Sequence, residues 1–336
     1  MKSENVLENI NAAMVDLFRN DEKAVLVGED IADPYGGSFK VSRGISGIAP
    51  DRVITTPISE ESFTDMAAGM AIMGYRPIVD LMFSDFAALA FDPLVNFASK
   101  FVSMYGERRP LQMIVRCANG GYRGYGATHS QSMQKYFMGI PNLSVYEMTP
   151  FHDNGRVFRR MFAEGNPCVY FEEKILYSSK MYKSGYVNDI FGFSFKGGDD
   201  NWAEVSSESG ADADIAVICH GGLTNACLTA AEKLMLDSEV ETKLFIPSKL
   251  YPCELSDILD ELVSIGKLLI VEESTEGAAW GDEILGRICG KFSGELPLTV
   301  RLLSSAASTI PASAAYERKI LVSEDDIVRE ALAMME

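Results

Sequence analysis

Short apolar runs alternate with segments of helical spacing along the first half of the chain. The runs AVLVGED (24–30), RVITTP (52–57), RPIVDLMF (76–83), LQMIVRC (111–117), LSVYEM (143–148) and PCVYFEE (167–173) have the length and β-branched or aromatic content of buried strands. This rhythm predicts βαβ units and a mostly parallel sheet covered on both faces. Between residues 178 and 212 the period dissolves into Gly, Ser, Asp and aromatic residues, which reads as a connection. A second series follows: strands DIAVICH, TKLFIP, KLLIVEES and VRLLSS, with helices LTNACLTAAEKLML, CELSDILDELVSIG, WGDEILGRICGKF and SEDDIVREALAMM. The fold class expected is α/β with two doubly wound domains, residues 1–185 and 211–336, joined by a linker at 186–210.

Composition narrows the function. The chain has 336 residues and 47% hydrophobic content, enough for two cores. No apolar run approaches the roughly 18 residues needed to cross a bilayer, and MKSENVLENINAAM carries acids where a signal peptide is basic and then apolar. A soluble, cytoplasmic protein is expected. Cys117, Cys168, Cys219, Cys227, Cys253 and Cys289 lack CxxC spacing and read as buried free thiols. A net charge of −18 disfavours nucleic acid and leaves room for a basic-armed protein partner. GxGxxG, GxxxxGK[ST] and GxSxG are all absent. His220-Gly221-Gly222 reads as a tight turn more readily than as an oxyanion loop.

Three segments place unusual polar residues where an α/β sheet presents its crevice, at the carboxyl ends of strands. They are TTPISE (55–60), DLMFSDF (80–86) and THSQ (128–131). Each has a plain structural reading. Ser59 and Glu60 suit an N-cap and a first-turn acid. Phe83 and Phe86, three apart, suit a core. His129, in the glycine-rich stretch GGYRGYGATHSQS, suits an exposed loop, although glycines also let backbone approach a ligand closely.

In combination and in this order, these segments resemble the β subunits of thiamine-diphosphate-dependent 2-oxo acid dehydrogenase E1 components, of the pyruvate, branched-chain and acetoin types. VGEDIADPYGGSFKVSRG (27–44), GYRPIVDLMFSDF (74–86), NGGYRGYGATHSQS (119–132) and GNPCVYFEEKILY (165–177) extend the likeness over nearly the whole chain. The resemblance implies that Glu60 faces N1′ of the thiamine aminopyrimidine, where a shared carboxylic proton assists deprotonation at C2. It implies that Phe86 stacks on the pyrimidine, with Ile58, Met82 and Phe83 along the same wall. His129 is then the active-site histidine, and Glu29 an acid beneath the cofactor. A structural potassium ion is implied near Met113, Met161, Phe162, Glu164 and Asn166, largely through backbone oxygens.

The GDG…N-type motif that holds Mg²⁺ and diphosphate in this superfamily is missing, and GGDDN at 197–201 has the wrong spacing. The resemblance therefore places Mg²⁺ on a separate α-type chain in an α₂β₂ assembly. It also implies a lipoyl-bearing E2 as a further partner. The stretch 302–320, LLSSAASTIPASAAYERKI, departs from the family's Pro-x-Pro-Tyr pattern, which leaves the acceptor and the particular 2-oxo acid open. Two other readings stand: a split transketolase-like or thiamine-dependent decarboxylase or ligase subunit, and a non-catalytic subunit retaining the fold.

Overall fold

The computed structural model describes residues 4–209 and 212–336. The six apolar runs of the first half form β1 (Ala24–Gly28), β2 (Val53–Thr55), β3 (Arg76–Leu81), β4 (Met113–Asn119), β5 (Ser144–Glu147) and β6 (Pro167–Glu173). Seven further strands follow: β7 (Phe191–Lys196), β8 (Trp202–Ser207), β9 (Ile215–Cys219), β10 (Thr242–Pro247), β11 (Lys249–Tyr251), β12 (Lys267–Thr275) and β13 (Thr299–Ser305).

The first sheet runs β11-β5-β6-β4-β3-β1-β2, and its strands from β5 to β2 are mutually parallel. Helices cover both faces, which is why these strands are apolar without alternation. On one face the helix Val6–Asn20 sets Val6, Ile10, Met14 and Phe18 against Val157, Phe158 and Met161 of the helix Asn154–Glu164. On the other face the helix Glu60–Ile72 buries Phe63, Ala67, Ala68 and Ala71.

The second sheet has the order β13-β12-β9-β10-β8-β7, with the first four strands parallel and β8 and β7 added antiparallel. The two halves are knit together. β11 leaves the second half to pair antiparallel with β5, and a single apolar cluster joins Val115, Val145 and Phe171 to Ile218, Ile270 and Trp280.

Three expectations need correction. The stretch 186–210 is not an irregular linker: it contributes β7 and β8, and Phe191, Phe193 and Phe195 alternate along β7 with smaller or polar residues. The expected boundary at 210/211 itself lies outside the described residues. The spacing of SDFAALAFDPLVNFASKF suggests one helix, but the stretch is split at residues 89–90: a 3₁₀ turn spans Ser84–Ala88, and helix resumes at 91 with a wide turn over Pro93–Ala98. Cys289 ends the helix Trp280–Cys289 exposed, whereas the other five cysteines are buried and all six are free. No helix among the described residues is long and apolar enough to cross a membrane.

Candidate active site

Because β1, β2, β3, β4 and β6 are parallel neighbours, the segments that leave their carboxyl ends meet along one edge of the sheet. Glu29 follows β1, Ile58 to Glu60 follow β2, Met82 to Phe86 follow β3, the loop with His129 follows β4, and Lys174 follows β6.

Glu60 opens the helix Glu60–Ile72 and is only 6% exposed. Ser59 stands at the N-cap without a side-chain capping bond, and Glu60 is an acid of the first turn. Among the described residues no hydrogen-bond donor reaches the Glu60 carboxylate. Its acidic neighbour is Glu29, half-buried, whose carboxyl is pushed above its ordinary range by burial first and then by the negative charges of Glu60 and Asp30. The side chain of Glu60 is thus largely covered while its carboxylate stays free to accept a hydrogen bond from outside the chain.

The same edge of the sheet carries an aromatic wall. The His129 ring meets Phe83 edge-on at 4.6 Å and Phe86 at 5.3 Å, and the two phenylalanines are 6.3 Å apart. Tyr125 and Phe39 extend the wall from Phe83 at 5.9 and 6.1 Å. Thr128 Oγ1 pairs with Nδ1 of His129 at 2.9 Å, which leaves Nε2 without a protein partner among the described residues. Ser38 Oγ donates to the Met82 carbonyl at 3.0 Å and fixes the start of the β3 exit. Ile58, by contrast, is 82% exposed and projects away from any cover this chain provides.

Several participants were not evident in the sequence. Lys174 is buried, donates from Nζ to the His129 carbonyl at 2.8 Å and lies 5.5 Å from the Phe83 ring centre. Asp85 is raised by burial, against the opposing pull of Lys174. The signal for Lys174 was the charged run FEEK at the end of an apolar strand. The loop glycines also have a different purpose from the one expected. Gly120, Gly124 and Gly126 have positive φ, and side chains at Gly121, Gly124 or Gly126 would run into Leu321 or Ala312. Gly121, Gly124 and Gly126 thus allow close approach to the second half of the chain, and Gly120 close approach to Glu173.

A cleft of about 490 Å³ between the helix Asn154–Glu164 and the turn 198–200 contains none of these residues.

The family model described as "Transketolase, pyrimidine binding domain" matches residues 5–180. The chain belongs to this family. The relatives of this chain include the pyruvate dehydrogenase E1 component subunit beta of Porphyra purpurea, 29% identical over 327 residues, covering 96% of this chain and 94% of that one. They also include the acetoin:2,6-dichlorophenolindophenol oxidoreductase subunit beta of Bacillus subtilis, 28% identical, with 97% and 95% covered. Among solved structures, a split-gene transketolase described as an inactive beta4 tetramer has the same fold, with a TM-score of 0.72, 17% identity and 98% of each chain covered. Transketolase from Campylobacter jejuni gives a TM-score of 0.68 at 12% identity, with 99% of this chain matching 47% of that one.

The residues expected around potassium lie at the opposite, amino-terminal edge of the sheet, where Met113 opens β4 and Asn166 precedes β6. Several of their oxygens accept a hydrogen bond. Gln112 Nε2 donates to the Phe162 carbonyl at 2.7 Å, and Arg108 Nη2 donates to the Glu164 carbonyl at 2.9 Å and to Asn166 Oδ1 at 2.8 Å. The Met161 carbonyl faces the Cys168 thiol at 3.6 Å. An exposed guanidinium brings a positive charge to this edge, and each of these carbonyls keeps a second lone pair for another ligand.

Proposed function

We propose that the chain is the β subunit of a thiamine-diphosphate-dependent 2-oxo acid dehydrogenase E1 component, acting in the cytoplasm in an α₂β₂ assembly with an α-type chain. The reaction is decarboxylation of a 2-oxo acid and transfer of the acyl group to a lipoyl acceptor on an E2 partner. The observation that carries this reading is Glu60, largely covered yet accepting no hydrogen bond from the described residues, next to Glu29 on the sheet edge that also carries the Phe83, Phe86 and His129 wall.

That arrangement fits an aminopyrimidine. A flat neutral ring asks for an apolar wall and one polar contact that sets its orientation. Phe86, Phe83 and Met82 supply the wall, and Glu60 the contact, holding a proton at N1′. Ile58, exposed in this chain, covers the ring once the partner chain closes the crevice. His129 presents Nε2 to the substrate side, where it stabilises or shuttles a proton. Bound thiamine diphosphate supplies the electron sink for decarboxylation. Mg²⁺ and the diphosphate belong to the α-type chain, since no GDG motif occurs in this sequence. The functional division follows the two sheets, with the pyrimidine side on the first.

The full-length likeness to a split-gene transketolase keeps ketol transfer as the second reading. Product analysis separates the two. The chain, co-expressed with an α-type chain, is offered several 2-oxo acids with a lipoylated or dye acceptor, and separately a ketose donor with an aldose acceptor. Carbon dioxide release from one 2-oxo acid is expected; two-carbon transfer between sugars would contradict the proposal.

A further inference from the structure

The loop that carries His129 is held from the second half of the chain. Glu273, in β12, is buried, and its Oε1 accepts from the Gly121 N–H at 2.7 Å and from Ser132 Oγ at 2.8 Å. These donors are the two feet of the loop. Between them Glu317, in the helix Ala314–Ile320, accepts from the Gly124 N–H at 3.1 Å, and Tyr122 donates its hydroxyl to the Val322 carbonyl at 2.6 Å. Lys174 adds its bond to the His129 carbonyl from the first sheet at 2.8 Å.

Stability alone does not account for an acid at position 273. Its Oε2 has no partner, and burial together with the neighbouring Glu173 charge pushes its carboxyl up to about 7. Glu173 is itself buried and has an unpartnered Oε2. Two buried acids side by side are costly, and an apolar residue would avoid that cost. What an apolar residue lacks is an acceptor. Only an oxygen at this point joins donors eleven positions apart in one loop.

We infer that Glu273 is a positioning residue for His129: by pinning both feet of the loop to the second sheet, it sets the place of the histidine against the Phe83 and Phe86 wall. The inference rests on the proposed role of His129. The second half of the chain is then part of the active-site construction, although it contributes no side chain to the wall.

Hydrogen exchange across 119–133 in the full chain, with kcat and KM of the complex with its α-type partner, tests this in Glu273→Gln, Glu273→Leu and Ser132→Ala. Glutamine keeps a carbonyl acceptor in nearly the same shape; leucine removes it. Exchange of the loop should rise roughly tenfold or more in Glu273→Leu, and severalfold in Ser132→Ala, which loses one bond. It should stay near wild type in Glu273→Gln. In the complex, kcat should fall at least about tenfold in Glu273→Leu with KM little changed, and glutamine should restore most of it. Unchanged loop exchange in Ser132→Ala and Glu273→Leu overturns the clamp. Should leucine prevent folding, the Ser132→Ala exchange decides alone. Faster exchange with wild-type kcat and KM overturns the link to His129 while leaving the clamp intact, and so separates a failure of the functional reading from a failure of the geometry.

Discussion

Arg116 lies inside the first sheet with acids on both neighbouring strands. Its guanidinium pairs with Asp80 of β3 and with both oxygens of Glu172 of β6 at 2.5 Å, and Tyr177 donates to the same Glu172 at 2.7 Å. Burial still pushes Asp80 up to about 6 despite the arginine. Removing the cation strands two acids in the core, so Arg116→Leu should lose about 3–5 kcal/mol in urea unfolding; a loss below about 1 kcal/mol would contradict this. Nothing local in VRC announces the triad, since its members meet only across strands. Glu60, Phe86 and His129 were legible because each follows an apolar run with a residue unusual at a strand exit. Lys174 and Glu273 were not, because their partners in the loop stand 45 and 152 positions away.

At the scale of elements, six first-half strands were readable since burial on both faces makes each a plain apolar run. β7 was missed although Phe191, Phe193 and Phe195 alternate, because their neighbours Gly192 and Ser194 also suit a loop. β11, three residues long, carries no signal of its own and depends on its pairing with β5. The glycine-rich loop was legible as a loop but not in its purpose. Gly120 has φ +84°, and a side chain there would overlap the buried Glu173 carboxylate, whereas Gly139 has φ +76° with open space around it. Alanine at either position takes on backbone strain of about 1–3 kcal/mol. Gly120→Ala should therefore cost distinctly more stability than Gly139→Ala in paired thermal melts; equal losses would show that the Glu173 contact is not tight.

At the scale of the molecule, the two sheets meet over a buried cluster of acids. Glu147 accepts from Gln134 at 3.0 Å and pairs with His220, while Glu173 accepts from Asn119. Burial raises Glu147 to about 8, and burial with the Glu173 charge raises Glu273 to about 7. A carboxyl raised on folding contributes stability that is complete below its unfolded value and is lost as pH climbs through the folded one. His152, lowered to about 4 by burial, acts below pH 6.5 and stays outside that window. Lys174, lowered by burial, pulls the opposite way toward high pH. Urea midpoints should therefore fall between about pH 6.5 and 8.5, and Glu147→Gln should flatten the decline. Parallel profiles for the two proteins would remove Glu147 from the cause.

On the proposed function, the site is completed when this chain meets its partner, and its chemistry turns on one carboxylate. Glu60→Gln replaces that acid by a near-isosteric amide which cannot share an acidic proton with N1′. The complex should still assemble and bind thiamine diphosphate. The decisive measurement is the exchange rate of the cofactor's C2 proton in the complex, followed by quenched NMR, which isolates that step from substrate binding and acyl transfer. The rate should fall by about 10² to 10⁴-fold in the variant. Exchange at the wild-type rate would show that Glu60 is only an acid at the start of a helix.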